Sequence, residues 1–113
     1  MYIAAYGTLR NYNNQKGKVK DYRLILASNF TFPAAIPYKD EEIIVELNPV
    51  EDWELGGFDA YENTGGGLYT RKKVNVLTDD GDKEAWMYVA GPAFIQYQNV
   101  FRKVPNNDWE CQT

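Results

Sequence analysis

The chemistry open to this chain is narrow because its sequence contains no histidine. This absence excludes Ser-His-Asp and Cys-His nucleophile systems and every zinc site that uses a histidine ligand. The single cysteine, Cys111, lies next to the C-terminus and has no second cysteine to pair with. We expect a solvated tail thiol there. Acid, base or nucleophile roles therefore fall to Asp, Glu, Lys, Tyr, Ser and Thr, together with Cys111.

Glu62 is the carboxylate best placed for acid-base work. It follows Phe58-Asp59-Ala60-Tyr61 at the end of a predicted helix, and Leu68-Tyr69 come soon after. A helix C-terminus disfavours negative charge, and apolar surroundings raise the pKa of a carboxyl group. Such a glutamate is well suited to act as a base. The alternative is a solvated surface acid.

A second candidate is the segment Tyr6-Gly7-Thr8-Leu9-Arg10, where an apolar strand runs into a glycine and then small and polar residues. Glycine lets the backbone turn sharply and present successive N–H groups, which can bind an anion. Other motifs have simpler interpretations. The run Asp79-Asp80-Gly81-Asp82 lacks the spacing of an EF-hand and predicts a hairpin turn. The aromatic residues Tyr61, Trp86 and Tyr88 are expected in the core.

The elements that would position these residues are mostly strands. Alternating or β-branched residues predict strands at 2–6, 22–27, 43–47, 68–78 and 84–90, with a turn at 78–82. Residues 11–20 are polar and predict a loop. Phe32-Pro33-Ala34-Ala35-Ile36-Pro37 is bracketed by prolines and predicts an extended edge or a tight connection.

One main helix is predicted from Asn48 as N-cap and Pro49 as the first helical residue, ending before the glycines at 65–67. Val50, Trp53, Phe58 and Tyr61 fall near one face of it, which we expect to be buried. A second, short helix is expected at 93–101. A β-rich chain with one main helix belongs to the α+β class.

Composition bounds the remaining possibilities. A chain of 113 residues with 44% hydrophobic and 25% charged residues predicts one domain spanning 1–113. The formal net charge of −4, with nine acids between positions 39 and 62, argues against nucleic-acid binding. No apolar run approaches the roughly 20 residues that cross a bilayer, and no secretory signal opens the chain. We therefore expect a cytoplasmic protein without membrane or nucleic-acid partners.

Five motifs in order resemble the γ-glutamylcyclotransferase-like, or AIG2-like, family. They are Tyr6-Gly7-Thr8-Leu9, Phe32-Pro33-Ala34, Phe58-Asp59-Ala60-Tyr61-Glu62, Tyr69-Thr70-Arg71 and Ala85-Trp86-Met87-Tyr88-Val89. The resemblance implies a small mixed β-barrel flanked by one main helix and short helices, with a cavity at the turn after the first strand.

The resemblance also implies an activity, the conversion of a γ-glutamyl amine or amino acid to 5-oxoproline without a metal or organic cofactor. Glu62 would be the general base, and the substrate would be bound by Tyr6, Gly7, Thr8, Leu9, Arg10 and Tyr69. Arg10 would draw in an anionic substrate, although a surface arginine is an equal alternative. The Tyr69 hydroxyl would orient Glu62 or the substrate.

Two other functions stay open at this point. The same cavity could bind a small anionic metabolite or signalling molecule without catalysis, or the acidic 40–62 surface could meet a basic partner. A carboxylate that faces the ligand separates the enzyme from the anion-binding module. It would repel an anion in a low-dielectric site, so it favours the enzyme. The sequence leaves both monomer and homodimer open.

Overall fold

The computed structural model describes residues 1–7, 9–11, 13–27, 32–96 and 101–109. Thr8 and Cys111 therefore lie outside the described residues. The strands are β1 (Tyr2–Ala5), β2 (Lys16–Ala27), β3 (Ala34–Pro49), β4 (Tyr69–Thr78), β5 (Gly81–Ala90) and β6 (Phe101–Lys103). The helices are α1 (Leu55–Tyr61) and α2 (Pro92–Gln96), and short 3-10 turns cover Asp52–Glu54 and Pro105–Asn107.

Five strands close into a barrel. β1 pairs with β3, β3 with β2, β2 with β4, β4 with β5, and β5 again with β1, while β6 extends β2 on the outside. The contact of β1 with β5 is parallel, whereas β1–β3 and β4–β5 are antiparallel, so the barrel is mixed. The predicted α+β class and the mixed barrel with one main helix are confirmed.

The sequence prediction of a loop over 11–20 is wrong for its second half, because β2 begins at Lys16. Between residues 16 and 20 of this strand the three lysines are exposed, and the buried Gly17 and Val19 alternate with them. A Cβ atom at Gly17 would collide with the side chain of Val76 on β4. Glycine at this position is what lets β2 approach β4 and close the barrel.

The segment after Phe32 is also more regular than predicted. β3 begins at Ala34, directly after Pro33, and the fully buried Ala34 and Ala35 pair with Ile25 and Leu24 of β2. The predicted turn at 78–82 is confirmed, since Thr78 pairs with Gly81 across a two-residue connection and Gly81 has a φ of 106°.

Helix α1 differs from its prediction at its start and on its face. β3 continues through Pro49, which pairs with Tyr2, so Asn48 is a strand residue and not a helix cap. The predicted buried face is wrong for two of its four residues, because Trp53 is 81% and Tyr61 67% exposed, whereas Val50 is buried and Phe58 packs against a core cluster. The capping contact belongs instead to the 3-10 turn before α1, where the Glu51 amide donates a 2.9 Å hydrogen bond to the Glu54 carboxylate.

The core consists of two apolar clusters. One fills the barrel and includes Leu24, Val45 and Met87. The other packs on the outer faces of the strands and includes Ile3, Tyr69, Tyr88 and Phe94 of α2, with Phe58 of α1 against it. Neither helix in the described part of the chain is long and apolar enough to span a membrane.

Candidate active site

A cavity of about 190 Å³ lies between the end of β1, the end of α1 and the strands β4 and β5. The sequence-predicted residues Tyr6, Gly7, Leu9, Glu62 and Tyr69 all line it. The other lining residues are Ile3, Ala4, Ala5, Phe32, Pro33, Tyr61, Leu68 and Tyr88. The structure therefore brings the two candidate segments of the sequence together around one space.

Glu62 is the only carboxylate among the described lining residues. Its amide donates a 2.9 Å hydrogen bond to the carbonyl of Phe58 as the last turn of α1 ends, which fixes its backbone at the mouth of the cavity. Its side chain forms no hydrogen bond or ion pair with another described residue. Burial without a cationic partner raises the pKa of Glu62 to about 7. A carboxyl group with this pKa can accept and return a proton near neutral pH.

The turn after β1 faces this carboxylate. The Arg10 amide donates a 3.0 Å hydrogen bond to the Gly7 carbonyl, which closes a tight turn between these two residues. A side chain at Gly7 would place its Cβ 2.9 Å from Cγ of Pro33, so only glycine fits. The amides of Gly7 and Leu9 donate no hydrogen bond to any described residue and remain available to a ligand. The predicted contribution of Thr8 lies outside the described residues.

The two predicted tyrosines use their hydroxyl protons within the protein. Tyr6 donates a 2.6 Å hydrogen bond to the carbonyl of Tyr88, and Tyr69 donates a 2.8 Å bond to the carbonyl of Pro33. Burial is the main reason that the pKa of both phenols is raised, so they stay neutral. Tyr69 therefore holds Pro33 against Gly7 rather than donating to Glu62, while its oxygen can still accept a hydrogen bond.

Arg10 does not lie where the resemblance implied. It is buried, it does not line the cavity, and its guanidinium pairs with Glu46 at 3.4 Å and Asp108 at 2.7 Å. The Glu46 carboxylate also accepts a 3.1 Å hydrogen bond from the amide of Asn11. Neither the substrate-binding nor the surface interpretation of Arg10 describes this position. Arg10 instead stabilises the turn after β1 through these two ion pairs.

Sequence reasoning missed Asp59, which fixes the end of α1. Its carboxylate accepts a 2.7 Å hydrogen bond from the Tyr88 hydroxyl and lies 3.5 Å from Nε of Arg71. Tyr88 and Arg71 are directly opposed on β5 and β4. The available signal was the position of Asp59 one helical turn before Glu62, which places both acids near one helix face.

Tyr61 and Tyr88 were expected in the core, and both line the cavity, but only Tyr88 also belongs to a core cluster. Tyr88 is buried, but Tyr61 is largely exposed at the mouth. Burial, followed by the hydrogen bond to Asp59, raises the pKa of Tyr88 above its ordinary value.

Comparison with solved structures shows a shared fold. A γ-glutamyl cyclotransferase is 16% identical with a TM-score of 0.67, and the match covers 92% of this chain and 71% of that one. An AIG2-like protein from Mus musculus is 18% identical with a TM-score of 0.69, covering 87% of this chain and 83% of the other. Protein YtfP from Escherichia coli is 26% identical with a TM-score of 0.61 and 96% coverage of both chains.

No curated protein sequence matches the chain. The family model described as gamma-glutamyl cyclotransferase, AIG2-like, matches residues 3–111, which is nearly the whole length. The predicted resemblance is thus confirmed, and the chain belongs to the γ-glutamyl cyclotransferase, AIG2-like family.

Proposed function

We propose that this protein is a γ-glutamylcyclotransferase-like enzyme that releases 5-oxoproline from a γ-glutamyl amine or amino acid. The observation that carries the proposal is the half-buried Glu62 carboxylate. It has a pKa of about 7, lacks a cationic partner among the described residues, and shares the cavity with the turn after β1. Family membership supports the same class of reaction.

The first step is a ring closure within the substrate. Glu62 takes a proton from the α-ammonium group, and the freed amine attacks the γ-carbonyl carbon of the same glutamyl unit. A C–N bond forms, and the carbonyl π electrons move to oxygen. Because both reacting groups belong to one molecule, the cavity mainly has to hold the glutamyl arm folded. The amides of Gly7 and Leu9, which donate to no described residue, are suited to bind the developing oxyanion or the α-carboxylate.

The second step expels the amine half of the substrate. The oxyanion re-forms the carbonyl, the original γ-amide C–N bond breaks, and protonated Glu62 returns its proton to the leaving nitrogen. The attacking nitrogen still carries one extra proton after the ring has formed, and ionised Glu62 takes it and passes it to the released amine. The products are 5-oxoproline and the amine as an ammonium ion, and Glu62 is again ionised. No redox change or added water is involved, so the atoms and charges balance without a cofactor.

The non-catalytic alternative, storage of a small anion, has weaker support. No lysine or arginine is among the described residues that line the cavity, so an anion would meet Glu62 without a cationic partner. Like charges at close range in a partly buried site are costly. In the proposed reaction, by contrast, the Glu62 carboxylate has a role, because it accepts a proton from the substrate and then returns it.

The test compares wild type with Glu62→Gln on a panel of γ-glutamyl compounds, with 5-oxoproline detected by mass spectrometry. We expect product from wild type and a loss of at least about 10²-fold in the variant, since one acid-base group contributes that much or more. Glu84→Gln is the matched control because that side chain is 70% exposed on β5 and should retain full activity. Equal product from wild type and Glu62→Gln would refute the role of Glu62. Absence of product from every substrate would favour the binding alternative.

A further inference from the structure

A second depression adjoins the cavity on its open side. It is a groove of about 390 Å³ lined by Leu9, Trp53, Glu54, Gly57, Phe58 and Tyr61. Leu9 and Tyr61 line both spaces, so the groove continues directly from the cavity that contains Glu62. Whole-ligand pockets usually measure about 300–1,000 Å³, so a 190 Å³ cavity suits only one part of an elongated substrate.

The groove follows one stripe of α1 and the turn before it. Glu54, Gly57, Phe58 and Tyr61 are spaced i, i+3, i+4 and i+7, which places them on a single helical face. Two large aromatic side chains on its border are strongly exposed, Trp53 at 81% and Tyr61 at 67%. Exposed aromatic surface of this kind at the mouth of a cavity is typical of a ligand contact.

Gly57 is an independent indication that the groove accommodates a ligand. Glycine weakens a helix interior, yet a Cβ at Gly57 would meet nothing within 4 Å, so internal packing does not require it. A side chain at this position would instead extend into the groove, which Gly57 lines. The neighbouring Gly56 has the same open surroundings but does not line the groove.

The charge of the groove restricts what it accepts. Its described lining residues include one acid, Glu54, and no basic residue, and Glu51 and Asp52 add two exposed acids just before it. A leaving group with its own carboxylate, as in a γ-glutamyl amino acid, would find repulsion and no cation there. The Glu54 carboxylate is already bound by the Glu51 amide at 2.9 Å, and the rest of the surface is apolar and aromatic.

We propose that this groove is the subsite for the leaving amine, and that it selects γ-glutamyl amides of aromatic amines that carry no carboxylate. The inference rests on the proposed function, because it places the amine half of the same substrate beyond Glu62. An aromatic ring would stack in offset or edge-to-face geometry between Trp53, Phe58 and Tyr61. The γ-glutamyl half would occupy the enclosed cavity.

The experiment uses four substrates that share one glutamyl half. They are γ-glutamyl-methylamide, γ-glutamyl-phenethylamide, γ-glutamyl-phenylalanine and γ-glutamyl-(5-aminopentyl)amide. The phenethylamide and the phenylalanine compound differ by a single carboxylate. We expect kcat/KM for the phenethylamide to exceed that of each of the other three by about tenfold. A preference for the amino acid or the cationic amide, or equal values for the phenethylamide and the methylamide, would overturn the proposal.

Two glycine variants test the location. Gly57→Leu should lower the kcat/KM ratio of phenethylamide to methylamide about tenfold, whereas Gly56→Leu should keep it, and both proteins should remain folded by circular dichroism. An unchanged ratio in folded Gly57→Leu would place the aromatic half elsewhere.

Binding separates this inference from the proposed function. Calorimetry on Glu62→Gln, which cannot turn substrate over in the proposed mechanism, should give tighter binding of the phenethylamide than of the methylamide. If no substrate is converted by wild type but this difference is present and is abolished by adding Gly57→Leu, the enzyme assignment fails and the subsite stands. If turnover occurs without any aromatic preference, the enzyme assignment stands and the subsite fails.

Discussion

At the scale of single residues, the chemistry depends on what surrounds Glu62 rather than on which residue it is. The chain has many acids, but Glu62 combines burial with the absence of a cation among its described neighbours. Glu46 is more deeply buried and is paired with Arg10, while Asp59 is bonded to Tyr88. Of these three carboxylates, only Glu62 is left to exchange a proton with a ligand.

The raised pKa of Glu62 predicts the pH dependence of the reaction. The base must be ionised before it can accept a proton, so kcat/KM should fall tenfold per pH unit below about pH 7. A pH profile of 5-oxoproline release from pH 5 to 8 measures this. A half-point near pH 4.5, the ordinary value for a glutamate, would contradict a desolvated base.

The same pKa has a consequence for stability that needs no substrate. Between pH 4.5 and about 7 the folded protein binds a proton at Glu62 that the unfolded chain has lost, so this residue's contribution to stability declines as pH rises through that window. Glu62→Gln should therefore raise the free energy of unfolding at pH 8, by about 1 kcal/mol after allowing for solvent screening of a partly exposed group. Urea titrations at pH 4 and pH 8 test the difference, and no gain at pH 8 would argue against a desolvated Glu62.

Position along one element was enough to predict the location of some residues that line the cavity. Glu62 at a helix end and Gly7 at a strand end follow from local pattern. Asp59 could not be predicted in the same way, because its partners Tyr88 and Arg71 meet only through the register of β4 on β5. The partner Asp108 lies 98 residues from Arg10, so no local pattern indicated that pair.

At the scale of elements, α1 is short and weakly anchored by its own sequence. It has seven residues, two of them glycine, and no fully buried side chain. Helix propensity alone does not stabilise such a segment. Asp59 supplies a strong external link by joining α1 to the paired strands β4 and β5 through Tyr88 and Arg71. The position of Glu62 over the cavity depends on this link.

We therefore predict that Asp59 acts as a positioning residue. Asp59→Ala should lower kcat about tenfold, because a displaced Glu62 meets the substrate in poorer geometry. Asp59→Asn should restore most of the loss, since its amide oxygen can still accept the Tyr88 hydrogen bond. The pH half-point should stay near 7 in both variants because burial, not Asp59, sets the pKa of Glu62.

Asp52→Ala is the matched control, an exposed acid in the 3-10 turn before the same helix. Full activity is expected from it. An Asp59→Ala enzyme with unaltered kcat would show that the helix end is held by other contacts.

The element predictions failed where tertiary contact overrode local composition. Lys16, Lys18 and Lys20 resemble a loop by polarity, yet their strand is required to complete a barrel in which only alternate residues face inward. Asn48 and Pro49 resemble a helix start, but Asn48 instead donates a 2.6 Å hydrogen bond to the carbonyl of Leu9. That bond links β3 to the turn beside the cavity. The sequence does not predict this role of Asn48, because the two residues meet only in the folded structure.

At the scale of the whole molecule, ion pairs at Arg10 join parts of the chain that are distant in sequence. Arg10 belongs to the turn after β1, Glu46 to β3 and Asp108 to the segment that follows β6. The fold class was predictable because strand patterns and the order of motifs are local properties. Barrel closure and this three-way ion pair were not, since both are created only when the ends of the chain meet.

The ion pair predicts a strong dependence of stability on Glu46. Glu46→Gln keeps an acceptor for the Asn11 amide but removes the charge that faces a buried guanidinium, and breaking a buried pair in this way costs about 3 kcal/mol. Arg10→Met should be similarly destabilising, and the double variant should lose clearly less than the sum because no isolated charge remains between the two positions. Urea unfolding of the four proteins gives the coupling energy. Strict additivity would mean that Arg10 and Glu46 act independently and that the turn after β1 is held in place by its glycine packing against Pro33 instead.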